Sequence, residues 1–270
     1  MTSFDLNADI GEADTPEWIA SETAILSAIT SANIACGGHA GNIETMRNTA
    51  RQATQENVAI GAHPAFPDRE NFGRQSLVLG DDITATALKE SLYSQISDLV
   101  EVCASLGTQL RYVKPHGALY NDAVFDDYKA KLIAEVVAKM ELGLSLLGAP
   151  NSEFGTAAKQ FDLNFVAEGF IDRRYTDDGH LLSRKIEGAV LTDQKERIEQ
   201  ALSLTLSGQV KTQSGKMLDL KTRSLCVHGD SAGAVQTAKL ARRALAKHVL
   251  PIWLFEQRPH YRREHIRTVS

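Results

Sequence analysis

Five stretches of this chain end alike. LNADIGE, ACGGHAGN, IGAHPAFPD, VKPHGALYN and CVHGDSAG each carry an apolar run into a turn bearing Asp, Glu, Lys or His. Imidazoles and carboxylates can exchange protons or hold a cation, so these residues could do general acid–base work if gathered in one place. The candidates are Asp9 and Glu12, His39, His63, Lys114 and His116, and His228 and Asp230; a further segment adds Glu168 and Asp172. One histidine at such a position is more often a structural hydrogen bonder, but four at equivalent positions of different segments are harder to dismiss. Asp9, His39 and His63 could form a mixed Asp/His site for a divalent metal, although no HxxxH or HExxH spacing accompanies them. His180, His248, His260 and His265 fall outside the pattern and read as surface or loop residues.

Other signals are weaker. Cys36 lies near a strand end, where a buried thiol usually acts as a small apolar residue. Gly229 to Gly233 fits GxSxG between a strand and a helix, yet a nucleophile elbow needs its acid and histidine further along, and too little chain follows Ser231. Gly215-Lys216 lacks the GxxxxGK[ST] spacing of a phosphate loop.

The elements that must position these residues are short β-branched or apolar runs ending at turn signals. Seven read as strands: Phe4 to Asp9, Ser31 to Gly37, Val58 to His63, Leu110 to Lys114, Leu144 to Gly148, Asn164 to Glu168 and Ser224 to His228. Helical periodicity fills most of the gaps, as at Leu88, Leu92, Ile96, Leu99, Val100 and Cys103. Alternation at roughly 30 residues per unit implies βαβ crossovers and a mainly parallel sheet. One α/β domain over residues 1–250, a closed or nearly closed seven-stranded parallel β/α barrel, is the simplest architecture, with 251–270 as a C-terminal extension. In such folds ligands bind at the carboxyl ends of the strands, which is where the candidates fall. Asp172 to Asp193 reads as an irregular or hairpin excursion, Gln194 to Ser207 as a helix, and Gly208 to Leu220 as a loop.

Composition excludes several classes. The chain of 270 residues is 43% hydrophobic, enough for a sizeable core, and 29 basic against 34 acidic residues give a net charge of -5. No global field draws it to nucleic acid or anionic lipid, so neither partner is expected. No run approaches the roughly 18 apolar residues that span a bilayer, and the start lacks a secretory pattern, so a cytoplasmic location is expected. Three cysteines without CxxC pairing indicate reduced thiols.

Taken in order, the blocks LNADIGE, NIACGGHAGN, IGAHPAFPDRENFGR, YVKPHGALYN, AEGFIDRRYTDDGHLLSR and CVHGDSAG resemble the LamB/YcsF family, associated with the A-type subunit of the prokaryotic 5-oxoprolinase. The resemblance implies a seven-stranded β/α barrel of the glycoside hydrolase/deacetylase type and a role in ATP-dependent opening of the 5-oxoproline lactam to glutamate. It implies ATP as co-substrate, bound on partner subunits of the B and C type, since this chain shows no nucleotide motif. The expected acid–base groups are Asp9, His39, His63, His116 and Glu168. Arg74, Lys114, Asp172 and Arg173 are the expected substrate-binding groups. Where the family commonly has Cys, Phe, Asp and Gly, this chain has Ala8, Gly38, Asn42 and Asn71; loss of the first argues against thiol chemistry there, and Gly38 is expected to enlarge or loosen the pocket. The competing readings are a metal-dependent deacetylase-like hydrolase and a non-catalytic substrate-binding subunit.

Overall fold

The computed structural model describes residues 3–229, 233–248 and 250–251; Asp230, Ser231, His260, His265 and nearly all of the expected extension lie outside the described residues. Strands β1 (Ser3–Ile10), β2 (Ser31–Ala35), β3 (Ala59–His63), β4 (Leu110–Val113), β5 (Ser145–Gly148) and β6 (Phe165–Phe170) pair in sequence order, all parallel. Between β6 and the next barrel strand comes a separate antiparallel pair, β7 (Gln209–Lys211) and β8 (Met217–Asp219). The barrel then closes through β9 (Ser224–His228), which pairs with β6 on one side and β1 on the other. A short β10 (Leu250–Pro251) runs parallel to the start of β1.

Successive residues of a strand face opposite sides of the sheet. On β1, Leu6, Ala8 and Ile10 face outward; with Ile34, Leu225 and Val227 they join the core shared with the surrounding helices. The inward set is polar. Register aligns Asp5 with Ser224, Asn7 with Ser31 and Cys226, and Asp9 with Asn33 and His228. Tyr112, Leu147 and Val166, packed on Ala59, form a small separate apolar cluster. A narrow barrel has no channel, so these inward side chains must fill it and satisfy one another.

The helices are α1 (Pro16–Leu26), α2 (Ile43–Gln55), α3 (Ala85–Ser105), α4 (Gly117–Ala123), α5 (Asp127–Lys139), α6 (Glu153–Gln160), α7 (Gln194–Leu202) and α8 (Ala234–Leu245). Local chemistry explains their starts. Thr15 caps the Trp18 amide with Pro16 at the first helical position, and Asn42 and Thr45 form a reciprocal capping box on α2. Asn42 thus makes the cap that an Asp at this position would make. On α3, Leu88, Leu92, Ile96, Leu99 and Cys103 of the stripe read from the sequence are buried, and Val100 is half-buried at its edge.

The expected strands hold to within two residues at each end, and two larger differences follow β6. The helix expected to reach Ser207 ends as an α-helix at Leu202 and finishes in one π turn over Ser203–Ser207, stopped by Gly208 at φ 63°. The expected loop at 208–220 contains the β7–β8 hairpin. The excursion after β6 is irregular, as expected, and single bridges Arg173–Val190, Tyr175–Leu181 and Tyr175–Thr212 tie it down. Among the described residues no helix is long and apolar enough to cross a membrane.

Candidate active site

The strand ends open into a cavity of about 740 Å³. Asp9, His63, Lys114, His116 and Glu168 line it, with Arg74 and Arg173. Two of the expected residues stand behind its wall. His39 packs face to face on His116, with ring centroids 3.6 Å apart, and its Nε2 lies 2.9 Å from Glu12 Oε1. Asp172 is fully buried behind His228, accepting its Nδ1 at 2.9 Å and its backbone N–H at 3.2 Å. His180, read as a surface or loop residue, sits in the excursion, lines the cavity and tilts against Phe125 at 4.2 Å.

Lys114 follows β4 directly and points its ammonium into the barrel. It donates to Asp9 Oδ1 at 2.9 Å and reaches Glu168 Oε2 at 3.2 Å, Cys226 Sγ at 3.1 Å and Asn7 Oδ1 at 3.4 Å. Burial opposes this charge, yet the Asp9 carboxylate, with Glu168, holds the ammonium well above its ordinary range. Burial likewise pushes Asp9 up, but Lys114 and then His63 hold its carboxyl well below the usual carboxylate range. The pair is therefore ionised. Cys226 is different: burial, then the Asp9 charge, push its thiol up, so it remains a neutral SH.

Below this group the inward layer is continuous. Asn33 donates to both Asp9 Oδ1 (2.6 Å) and Asn7 Oδ1 (2.7 Å), and takes the Tyr112 hydroxyl on its own oxygen at 2.7 Å. Asn7 in turn donates to Ser224 at 2.7 Å. Ser224, Thr30 and Ser31 hydroxyls all donate to Asp5.

A second cluster stands beside Asp9. Glu12 leaves β1 on a loop whose Gly11, Glu12 and Ala13 amides all donate to the Glu22 carboxylate of α1, at 2.8, 3.0 and 3.1 Å. His63 Nε2 is 3.5 Å from Asp9 Oδ2 and 3.0 Å from His116 Nδ1. Burial, followed by neighbouring histidines, depresses the His39 and His116 values, so both rings are neutral. Gly73, at φ 62°, makes the cluster possible: a Cβ there would come 2.9 Å from His39 Cβ and 3.1 Å from His116 Cδ2. Donor atoms of Glu12, His39, His63 and His116 lie within 4.8 Å of one another, as do those of Asp9, Cys226 and His228. The expected metal triad is thus divided between two groups.

Gly38 does not enlarge the pocket. A Cβ there would meet Gln95 Oε1 at 2.4 Å, because Gln95 fills the space while bonding both the N–H and C=O of Ala65 at 2.9 Å. Ala8 faces away from the cavity, so a thiol at that position would not reach it.

With this geometry in place, comparison with known proteins is decisive: the LamB/YcsF family model matches residues 4–258. The chain belongs to the LamB/YcsF family. Within that family it is similar to the 5-oxoprolinase A-type subunit of Histophilus somni (strain 129Pt), 41% identical over 245 residues that cover 91% of this chain and 96% of that protein. The protein of the same name from Bacillus cereus (strain AH820) is 38% identical over 253 residues, 93% of this chain and 98% of that one. Among solved structures, the lactam utilization protein of Thermus thermophilus superposes with a TM-score of 0.82 at 33% identity, covering 91% of this chain and 97% of that chain. This LamB/YcsF member and that structure share the closed barrel.

Sequence reasoning placed Glu12 among the strand-end candidates but gave it no role, and it missed Glu22, Tyr120 and the inward asparagines. The alternation of Asn7 and Asp9 on one strand with Asn33 on the next was the available signal for the last of these. Tyr120 lines the cavity, and burial, then Glu168, push its phenol up. Its hydroxyl and Glu168 Oε1 are both buried without a hydrogen-bond partner.

Proposed function

We propose that this chain is the A-type subunit of an ATP-dependent 5-oxoprolinase and opens the lactam of 5-oxoproline to L-glutamate together with partner subunits of the B and C type. The observation that carries this is the end-to-end similarity to the Histophilus somni 5-oxoprolinase chain. The cavity suits the task. A lactam carbonyl is a poor electrophile and neutral water a poor nucleophile, so opening needs activation of the carbonyl oxygen, a general base for water and a proton for the departing nitrogen. Phosphorylation of the lactam oxygen by ATP supplies the first: one water adds to the activated carbon, the C–N bond breaks to leave the phosphoryl group on the new side-chain carboxyl, and a second water releases it as phosphate.

The chain's own residues supply the rest. Arg74 and Arg173 line the cavity and receive the substrate carboxylate, as guanidinium groups do well. Glu168 Oε1, buried and unpartnered, accepts the lactam N–H. Tyr120 offers its unpartnered hydroxyl beside it. Lys114 places a fixed positive charge next to the reacting group, Asp9 takes the proton of water, and His63 and His116 stand beside it and fix where that water sits. His39 and Asp172 act from behind the wall, on Glu12 and His228 respectively. ATP binds on the partners, because the chain carries no recognisable phosphate loop.

Purified chain mixed with ATP and 5-oxoproline should release neither phosphate nor glutamate, and adding the B- and C-type subunits should produce both. His39→Ala and His63→Ala should abolish that turnover while circular dichroism stays unchanged. Turnover by the isolated chain would overturn the partner requirement; none from the complete complex would overturn the reading itself.

A further inference from the structure

The hydrogen bonds of two histidines leave lone pairs aimed at each other. His63 Nδ1 lies 2.7 Å from the Lys114 carbonyl oxygen, and His116 Nε2 lies 3.0 Å from that of Phe72. A carbonyl can only accept, so both of these nitrogens carry the proton. The remaining nitrogens, His63 Nε2 and His116 Nδ1, face each other at 3.0 Å. Two bare lone pairs repel at that separation unless an electrophile holds them. It is a proton or a metal ion.

The surroundings select the ion. Glu12 Oε1 lies 3.4 Å from His116 Nδ1 and 4.0 Å from His63 Nε2. Donors about 2.1 Å from one ion are roughly 3.0 Å apart at a right angle and roughly 3.4 Å apart at the tetrahedral angle, so His116 Nδ1 is spaced as a neighbour of both other donors, while Glu12 and His63 stand across a wider angle of roughly 145°. The His63 and His116 planes meet at 89°, which lets one ion lie in both. His39 cannot join them: its ring is parallel to His116 within 1° at 3.6 Å, so an ion in the His116 plane is far out of the His39 plane. Instead, His39 Nε2 donates to Glu12 Oε1 at 2.9 Å, and the Lys114 and Phe72 carbonyls hold the outer nitrogens of the two ligating rings. Metal-binding histidines and carboxylates are held by such outer contacts as a rule. A proton relay needs one ring and one carboxylate, whereas here two rings converge lone pair to lone pair beside a carboxylate held from behind.

We infer that His63 Nε2, His116 Nδ1 and Glu12 Oε1 bind a divalent first-row transition ion, with His39 as a positioning residue for Glu12 and the remaining coordination position open to the cavity. The mixed imidazole and carboxylate donors suit such an ion. Of the Asp9, His39 and His63 set suggested by residue type, only His63 is a ligand here; Asp9 is committed to Lys114. The inference rests on the 5-oxoprolinase reading only for what the ion would act on, a carbonyl oxygen that it would polarise as a Lewis acid.

The test needs no substrate. The full chain is stripped with EDTA, titrated separately with Zn²⁺ and Mn²⁺, and followed by calorimetry, elemental analysis after gel filtration, and thermal melting. One ion per chain and a raised Tm are expected with at least one metal. Glu12→Gln and His116→Ala should lose stoichiometric binding, and His39→Ala should weaken it about 10- to 100-fold, the range for groups that orient a ligand. A wild-type chain that takes up neither metal overturns the inference without needing any variant to fold. So does unchanged uptake by Glu12→Gln and His116→Ala, or a nitrogen NMR spectrum of metal-treated protein showing a proton shared by His63 and His116. Because metal content is read without turnover, failure here leaves the lactam reading standing, and failure of that reading leaves the metal result intact.

Discussion

Lys114→Met isolates the electrostatic centre of the barrel. Lys114, Asp9 and Glu168 are 2%, 7% and 1% exposed, and the ammonium stands 2.9 and 3.2 Å from the two carboxylates. Each contact at about 3 Å is worth roughly 5 kcal/mol at an effective dielectric near 20, and desolvation of the ions offsets much of that sum. Methionine keeps the apolar stem but leaves two buried carboxylates facing each other without a counter-charge. The net cost should be about 3–5 kcal/mol, the range for breaking a buried pair by removing one partner. For a chain of this size that lowers Tm by about 6–20 °C, taking roughly 2–4 °C per kcal/mol. The triple variant Lys114→Met, Asp9→Asn, Glu168→Gln contains no ion and should recover most of the loss, because neutral replacement of a buried ion group is often tolerated. Urea unfolding of EDTA-treated protein measures all of this without metal linkage. A single variant within about 1 kcal/mol of wild type, below the penalty for an orphaned buried charge, would refute the reasoning. A triple variant no more stable than the single one would do so equally.

Other perturbations probe the supports. Glu22→Gln sets an amide NH₂ against one of the three loop N–H groups now held by the carboxylate, and should cost about 1–3 kcal/mol, measured by urea unfolding; it should also lower kcat of the reconstituted complex, because the same loop carries Glu12. Gly61→Ala places a Cβ 2.2 Å from the Tyr112 ring, which cannot retreat without losing its bond to Asn33; a loss of about 1–3 kcal/mol is expected, and an unchanged Tm would mean the barrel interior is looser than its packing implies. Burial raises the Asp5 carboxyl while Ser224, Thr30 and Ser31 pull it partly back, so the native state holds this proton more tightly than an unfolded chain titrating near about 3.9. Stability from that proton is full below the unfolded value and is lost as pH rises toward the native one. Asp5→Asn cannot titrate, so its stability relative to wild type should improve as pH rises above about 4, and a pH-independent difference would contradict the assignment.

The strands and their carboxyl-terminal residues were legible because two periodicities coincide. Alternation along a strand separates Leu6, Ala8 and Ile10 from Asn7 and Asp9, and turn glycines mark where each strand stops. What connected the residues was not legible. Glu12 and Asp9 are three residues apart, yet Asp9 turns to Lys114 while Glu12 turns to His39, on a loop whose amides are anchored by Glu22 of α1. His39 and Asp172 looked like cavity residues because they follow strand ends, but each is covered by the residue it orients or stacks on, His39 by His116 and Asp172 by His228. The β7–β8 hairpin was hidden because its strands, QVK and MLD, are three residues each, too short for a period to show. It became structure through Tyr175, whose bridge to Thr212 fastens the hairpin to the excursion above the cavity.

Strand-borne and loop-borne groups divide the work according to how tightly each can be held. Asp5, Asn7, Asn33 and Ser224 form a floor in which each hydrogen bond fixes the donor or acceptor available to the next, up to Asp9 and Lys114. Such a network is costly when one member is unsatisfied and rigid when all are satisfied. It can therefore hold an ion pair in place before substrate arrives, the condition under which a fixed charge stabilises developing charge without reorganising. The loops carry what must meet chemistry of variable shape: Glu12 on one side, Arg74, Arg173 and His180 on the other. The cavity they enclose, about 740 Å³, suits a drug-sized ligand and greatly exceeds a five-membered lactam. Under the lactam opening proposed above, that excess is the room an activating phosphoryl group on the lactam oxygen would need.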